Sequence, residues 1–354
     1  MVNIYRYIGV VHVHTSFSDG TGGMEEIMEA AQFAGLDFII VTDHNDLRAK
    51  LFEGWRGRTL LLAGEEVTRP EGNHMLAMGI EELIPPHTSP QEGINLTKKQ
   101  GGLAFLLHPF YQGSSIINDP PLPWLDWGVV GFDGIEIWNL TADLYQRLDS
   151  MSFGKPPKDI LNYAAPNPKT LRKWDELLAQ QKIVGLGGLD AHAERVVKWG
   201  KVVLPYAKAF SALRLHLFLR EPLTGDLEQD RRLVYAGIGS GNFWVSLDWL
   251  YSSTEVDVEA HCGEDVNLLP GEESRDDNLM LRIELPIRSV IRVIYQGEEF
   301  LRTETRDFGA KLKMPGYYRL EIYYNGRPWI LTNPYYVKKP ENNSLMKQIT
   351  KSVT

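Results

Sequence analysis

The chain has 354 residues, a hydrophobic fraction of 43%, a net charge of −9 and one cysteine, Cys262. Its apolar runs fall well short of the roughly 18 residues that a membrane span needs, and a single thiol excludes an internal disulfide framework. The acidic balance argues against a broad nucleic-acid surface, which would be basic. The length admits two domains, and no signal-peptide pattern opens the chain, so the expected location is the cytoplasm.

The first apolar run, Ile8-Gly9-Val10-Val11-His12-Val13-His14-Thr15, reads as a strand ending in His-x-His. Side chains two apart on a strand share a face, so both imidazoles can reach one ion. Asp19 follows in the polar turn Ser18-Asp19-Gly20. Residues 24–34 have apolar positions at helical spacing, and Gly35 is placed to end that helix. Phe38-Ile39-Ile40-Val41-Thr42-Asp43-His44 is a second apolar run ending in a potential ligand, and Leu60-Leu61-Leu62-Ala63-Gly64-Glu65 is a third. A further run begins at His74. Ser89-Pro90-Gln91-Glu92 is a capping box with Pro at the first helical position, and its helix should stop at Gly101-Gly102.

Leu103-Ala104-Phe105-Leu106-Leu107-His108-Pro109 again ends in histidine. Residues 132–138 read as a strand, and Asn167-Pro168 opens a helix through about 181. The following strand ends in Asp190-Ala191-His192, and residues 205–220 read as mostly helical, closing the first domain. Residues 109–131 and 141–166, rich in Pro, Gly, Tyr and Trp, are too long for simple connections. They read as loops over a site, with Trp124, Trp127, Tyr145 and Phe153 either walling a pocket or packing the loops down.

Six of the nine histidines thus sit at the ends of apolar runs, together with three carboxylates. Each would be weak evidence alone, because a lone histidine is more often a hydrogen-bonded structural residue. As a set, His12, His14, Asp19, His44, Glu65, His74, His108, Asp190 and His192 exceed what one ion needs. Two or three divalent ions fit the count, and imidazole with carboxylate suits Zn, Mn or Fe. Asp43, Glu66, Glu136 and Asn139 read as supports or structural residues rather than ligands, with Asp43 the best placed to orient a ligating imidazole.

His12-Val13-His14-Thr15, Ser18-Asp19-Gly20, Thr42-Asp43-His44, Gly64-Glu65, His74, His108-Pro109 and Asp190-Ala191-His192 together resemble the motifs of the PHP (polymerase and histidinol phosphatase) family over roughly residues 5–220. The resemblance implies an α/β fold, a distorted (β/α)7 barrel with metal ions at its mouth. It also implies a grouping: His12, His14, Glu65 and Asp190 on one ion; Asp19, His44 and His192 on a second; Glu65, His74 and His108 on a third, with Glu65 bridging. The implied activity is phosphoester hydrolysis by a metal-bound hydroxide, with Asp19, Glu65, Asp190 and His192 at the catalytic centre. Arg69 and Arg195 are the expected cationic contacts to substrate phosphate.

From about residue 238 short alternating runs replace helix signals: 243–247, 256–261, 278–285, 289–296, 299–303, 310–314, 316–324 and 329–331. The Asn325-Gly326 pair is a strong hairpin signal, and the set predicts an antiparallel β-sandwich. The expected division is 1–225 for the metal domain, 226–338 for the sandwich and 339–354 for a flexible tail. Three readings follow: a phosphoesterase acting on a small nucleotide or sugar phosphate; a carboxylic ester, amide or carbamate hydrolase on the same metals; or a structural metal module. The expected partner is a small phosphorylated substrate, with no membrane; an oligomer stays open.

Overall fold

A computed structural model describes residues 3–151, 158–196, 199–262, 266–274 and 279–338. Phe153, the segment 339–354 and the side chain of Arg195 lie outside the described residues. Strands β1 (Tyr5–Val13), β2 (Phe38–Val41), β3 (Gly54–Arg56) and β4 (Thr59–Val67) come first, with helix α1 (Met24–Phe33) between β1 and β2. β1, β2 and β4 run parallel, and β3 folds back on β4 as a short antiparallel flap. β5 (Met75–Met78) and β6 (Leu103–Leu106) join through antiparallel pairs, with α2 (Pro90–Lys99) between them. Ser89 caps α2 by accepting from the Glu92 N–H, as the capping box predicts.

β7 (Gly134–Asn139) and β8 (Val184–Gly188) return to parallel pairing. Between them lie α3 (Leu140–Ser150) and α4 (Pro168–Leu178). Backbone bonds from Leu189 to Val11 and from Ala191 to His12 then tie the end of β8 back to β1. The apolar residues of these strands are buried in one core together with those of the helices. Gly9 and Gly134 are needed there, because a Cβ at either would meet the ring of Phe38 or Phe105 at about 2.4 Å or less.

Two segments differ from expectation. Residues 141–150, expected as loop, are helical in α3 because Asn139 caps it, accepting from the Ala142 N–H. Residues 205–220 hold the short helix α5 (Tyr206–Ala212), then strand β11 (Leu213–Leu219) after the small pair β9 (Arg195–Val196) and β10 (Lys201–Val202). The run Leu-Arg-Leu-His-Leu-Phe-Leu has period two, and β11 pairs antiparallel with β1.

Helix α6 (Leu227–Gly239) and β12 (Phe243–Leu247) belong with the first core, not beyond a division at residue 225. β12 pairs with β11 and also with β18 (Arg327–Thr332). Its alternation serves both sides: Phe243, Val245 and Leu247 pack into the first core, Trp244 into the second. The two cores therefore meet along β12, and Tyr317 and Leu331 from the C-terminal strands also pack into the first.

The C-terminal strands are antiparallel: β13 (Asp257–Cys262), β14 (Val266–Asn267), β15 (Leu279–Tyr295), β16 (Glu298–Leu312), β17 (Gly316–Tyr324), β18 and β19 (Tyr335–Val337). The expected runs 278–285 and 289–296 are one strand, β15, whose register slips between Glu284 and Ser289. It pairs with β13 before that irregularity and with β17 after it. Asn325 and Gly326 both have left-handed backbone, φ 50 and 72, as an Asn-Gly hairpin turn requires. No helix among the described residues is long and apolar enough to cross a membrane.

Candidate metal centre

The strand ends of the ring converge on a buried cluster of imidazoles and carboxylates. His12 and His14 come from the end of β1, His44 from the loop after β2, His74 from the start of β5, and His108 from the loop after β6. Asp190 and His192 follow β8, and Asp19 reaches in from the turn after β1. The donor atoms form three overlapping groups: His14, Asp19, His44 and His192; His12, His14, Glu66 and Asp190; Glu66, His74 and His108. Within each, every donor lies within 4.8 Å of the others.

Glu66, not Glu65, is the shared carboxylate. Its Oε2 is 3.0 Å from His12 Nε2, 3.1 Å from His14 Nε2 and 3.3 Å from His44 Nδ1; its Oε1 is 2.8 Å from His74 Nδ1 and 3.5 Å from His108 Nε2. Adjacent side chains on a strand face opposite ways. Glu65 therefore points away, accepts the Ile84 N–H at 2.7 Å and leaves Oε1 unpartnered. Burial pushes the Glu65 carboxyl up to about 7. Glu66 goes the opposite way: burial would raise it, but His44 and His12 hold it well below the usual carboxylate range.

His12 and His14 do not share a face simply by alternation. The register slips between Val11 and Val13, and His12 has φ 65. The bulge turns both rings inward, with centroids 5.2 Å apart. His108 (φ 27) and Asp190 (φ 52) are also left-handed. Strained backbone at non-glycine residues gathers where a site over-determines the conformation.

Asp43 does not orient an imidazole. It accepts from Thr15 N–H at 2.7 Å, Thr15 Oγ1 at 2.9 Å and Ser18 Oγ at 2.6 Å, and so fixes the turn that carries Asp19. The carboxylate beside a cluster imidazole is Glu136, whose Oε1 is 2.7 Å from His12 Nδ1. Tyr206, 2.8 Å from the His14 carbonyl and 3.0 Å from that of His192, braces the opposite side. The Arg69 side chain is buried away from the cavity, donating to the carbonyls of Thr88 and Asn73, while its backbone carbonyl is 3.0 Å from His74 Nε2, so it braces a loop and a cluster imidazole but does not face substrate.

The donor set fits divalent ions on its own chemistry. His14 is fully buried with its Nε2 3.1 Å from Glu66 Oε2 and 3.3 Å from Asp190 Oδ1, while its Nδ1 and His108 Nδ1 have no hydrogen-bond partner among the described residues. The His14 ring stacks on those of His192 at 4.1 Å and His44 at 4.3 Å. Burial and those two neighbours lower its pKa, which favours the neutral, ligating form. Burial opposes a charge on His192 too, but hydrogen bonding to Asp19 and the Asp190 charge raise it to about 10. Cations binding here would displace such protons. The cluster opens on a cavity of about 330 Å³ whose outer wall includes Tyr111, Asn118, Asp119 and Glu194. Sequence reasoning missed these; the unusual length of segment 109–131 was the signal for the first three, and Glu194 had only its place two residues after His192. Trp124 and Tyr145 do not wall this cavity but are buried in the first core.

Residues 11–107 match the family model of the PHP domain. The matched segment spans His12, His14, Asp19, His44, Glu66 and His74 and stops before His108. An uncharacterized protein of Methanocaldococcus jannaschii is 28% identical over a stretch that covers 36% of this chain and 80% of its own. A solved two-domain protein from Bacteroides vulgatus, described as containing a predicted PHP-like metal-dependent phosphoesterase, is 16% identical, with a TM-score of 0.43 over 94% of this chain and 95% of that chain.

Proposed function

We propose that the chain is a metal-dependent phosphoesterase acting on a small phosphate ester such as a nucleotide or sugar phosphate. The observation that carries this is Glu66, one carboxylate spanning two of the three donor groups at the floor of an open cavity. A structural metal site is normally a closed four-ligand shell. Here His44 and Asp19 keep 24% and 56% of their side chains exposed, so the group they share with His14 and His192 has room for a substrate oxygen.

His12, His14, Glu66 and Asp190 would hold one ion, Asp19, His44 and His192 a second, and Glu66, His74 and His108 a third. The metal, Zn, Mn or Fe, would supply Lewis acidity toward a phosphoryl oxygen. Glu66 would contribute to both groups it belongs to, and the buried rings beneath exclude water from the floor of the site. We read the closed ring as the distorted (β/α)7 barrel and the C-terminal ladder as a β-sandwich. The link from β8 back to β1 and the switch of β15 between partners support those readings.

The test is turnover of p-nitrophenyl phosphate and bis-p-nitrophenyl phosphate against p-nitrophenyl acetate and aryl carbamates by metal-replete protein. Phosphate substrates should be cleaved in a metal-dependent way. Cleavage of the carboxylic substrates alone would move the assignment to the second hydrolase class.

A further inference from the structure

Resting on the metal-centre reading above, we infer that Glu136 and Asn139, at the end of β7, are positioning residues that lock the ligands of the first and third metal groups into one geometry. Glu136 is buried and belongs to none of the donor groups. Its Oε1 lies 2.7 Å from His12 Nδ1. Its Oε2 accepts the His108 backbone N–H at 2.9 Å and the Asn139 Nδ2–H at 2.9 Å. Asn139 Nδ2 also donates to Asp190 Oδ2 at 3.1 Å. Two neighbouring side chains thus hold His12, His108 and Asp190, the three donors with left-handed backbone.

The chemistry of the contact fixes a tautomer. A carboxylate can only accept, so Glu136 keeps a proton on His12 Nδ1, and Nε2, 3.0 Å from Glu66 Oε2, is the nitrogen left to a cation bound in its place beside that carboxylate. The same carboxylate fixes His108 through its amide, where φ is 27. Gly188 leaves the room this needs: a Cβ there would lie 1.9 Å from Glu136 Oε1. His12 belongs to the donor group with His14, Glu66 and Asp190, and His108 to the group with Glu66 and His74, so Glu136 links the two while belonging to neither.

Glu136→Gln isolates the effect, because glutamine keeps the shape but offers one acceptor and one donor end. If its N–H₂ faces His12, the proton moves to Nε2 and that ligand is lost. If it faces His108, two donors meet. The experiment measures metal per chain by elemental analysis and Co²⁺ affinity by visible absorption, with far-UV circular dichroism and a thermal midpoint on the same samples. Wild-type protein should load, and Glu136→Gln should stay folded while Co²⁺ affinity falls on the order of 10–100-fold, with altered absorption bands. Asn139→Ala should weaken affinity less, through Asp190 alone. If folded Glu136→Gln loads Co²⁺ with wild-type affinity and spectrum, whatever its thermal midpoint, the positioning role is overturned. Should Glu136→Gln not fold, Glu136→Asp serves as the shorter acceptor: weakened loading supports the role, and wild-type loading overturns it. Failure of wild-type protein itself to load would instead contradict the metal-centre reading.

Discussion

At the scale of single residues, the most informative contrast is between two adjacent glutamates. Every histidine and aspartate of the cluster was legible: all but Asp19 lie at an end of an apolar run, where a polar side chain has little other reason to be, and Asp19 follows the first such run in a polar turn. Glu65 and Glu66 were not separable. β4 is buried along its whole length, so alternation of polarity could not show which face looks inward. Only its register beside β2 decides, with His44 and Glu66 bridged across the two strand ends. Glu66→Gln should cut phosphate release roughly 10²-fold or more and lower metal content, whereas Glu65→Gln should keep both. Steady-state kinetics on the two variants checks this, and equal losses would return Glu65 to the site. Glu65 also carries a pH signature. Its folded carboxyl sits near 7, above its usual 4.5, so the folded state holds a proton that the unfolded state releases, and stability falls as pH rises through that window. Thermal midpoints of Glu65→Gln relative to wild type should therefore improve from pH 5 to pH 8; a constant difference would contradict the assigned burial.

At the scale of elements, strand ends set the site, and irregularities in them aim the ligands. Hydrophobic runs located β1, β2, β4, β6 and β8 from the sequence. The bulge at His12 left no mark there, since it depends on pairing with β2. β11 was misread because Leu213–Leu219 follows a true helical turn and its alternation is short. The fit between β7 and β8 makes Gly188 a sensitive position. Gly188→Ala would drive a methyl into Glu136 Oε1, a strain of about 1–3 kcal/mol. The variant should melt at lower temperature and bind metal more weakly; calorimetry and elemental analysis would register both, and wild-type values in both would contradict the contact.

At the scale of the whole molecule, the C-terminal strands are built into the first core. β12 pairs with both β11 and β18, and Asn333 Oδ1 accepts the Gly185 N–H of β8 at 2.8 Å. The two-part organisation was legible as a change of periodicity, but its seam was not, because one strand serves both cores. Buried Arg319 on β17 reinforces the seam: its guanidinium grips Asp175 of α4 at 2.8 and 2.6 Å, and Glu321 at 2.5 Å. Arg319→Met leaves Asp175 without its cation, while Glu321 keeps Arg292 at 2.6 Å, and should cost about 3–5 kcal/mol, the range for breaking one side of a buried pair. Denaturant unfolding measures it, and an unchanged midpoint would show that the seam does not depend on this contact.

The central claim is that nine side chains, with Glu66 in place of Glu65, form one multinuclear centre. The most direct test is the metal-to-chain ratio, by elemental analysis, of wild-type protein purified without chelator and then reconstituted. The arrangement of three overlapping donor groups predicts two to three ions per chain. Fewer than one ion per chain would contradict it.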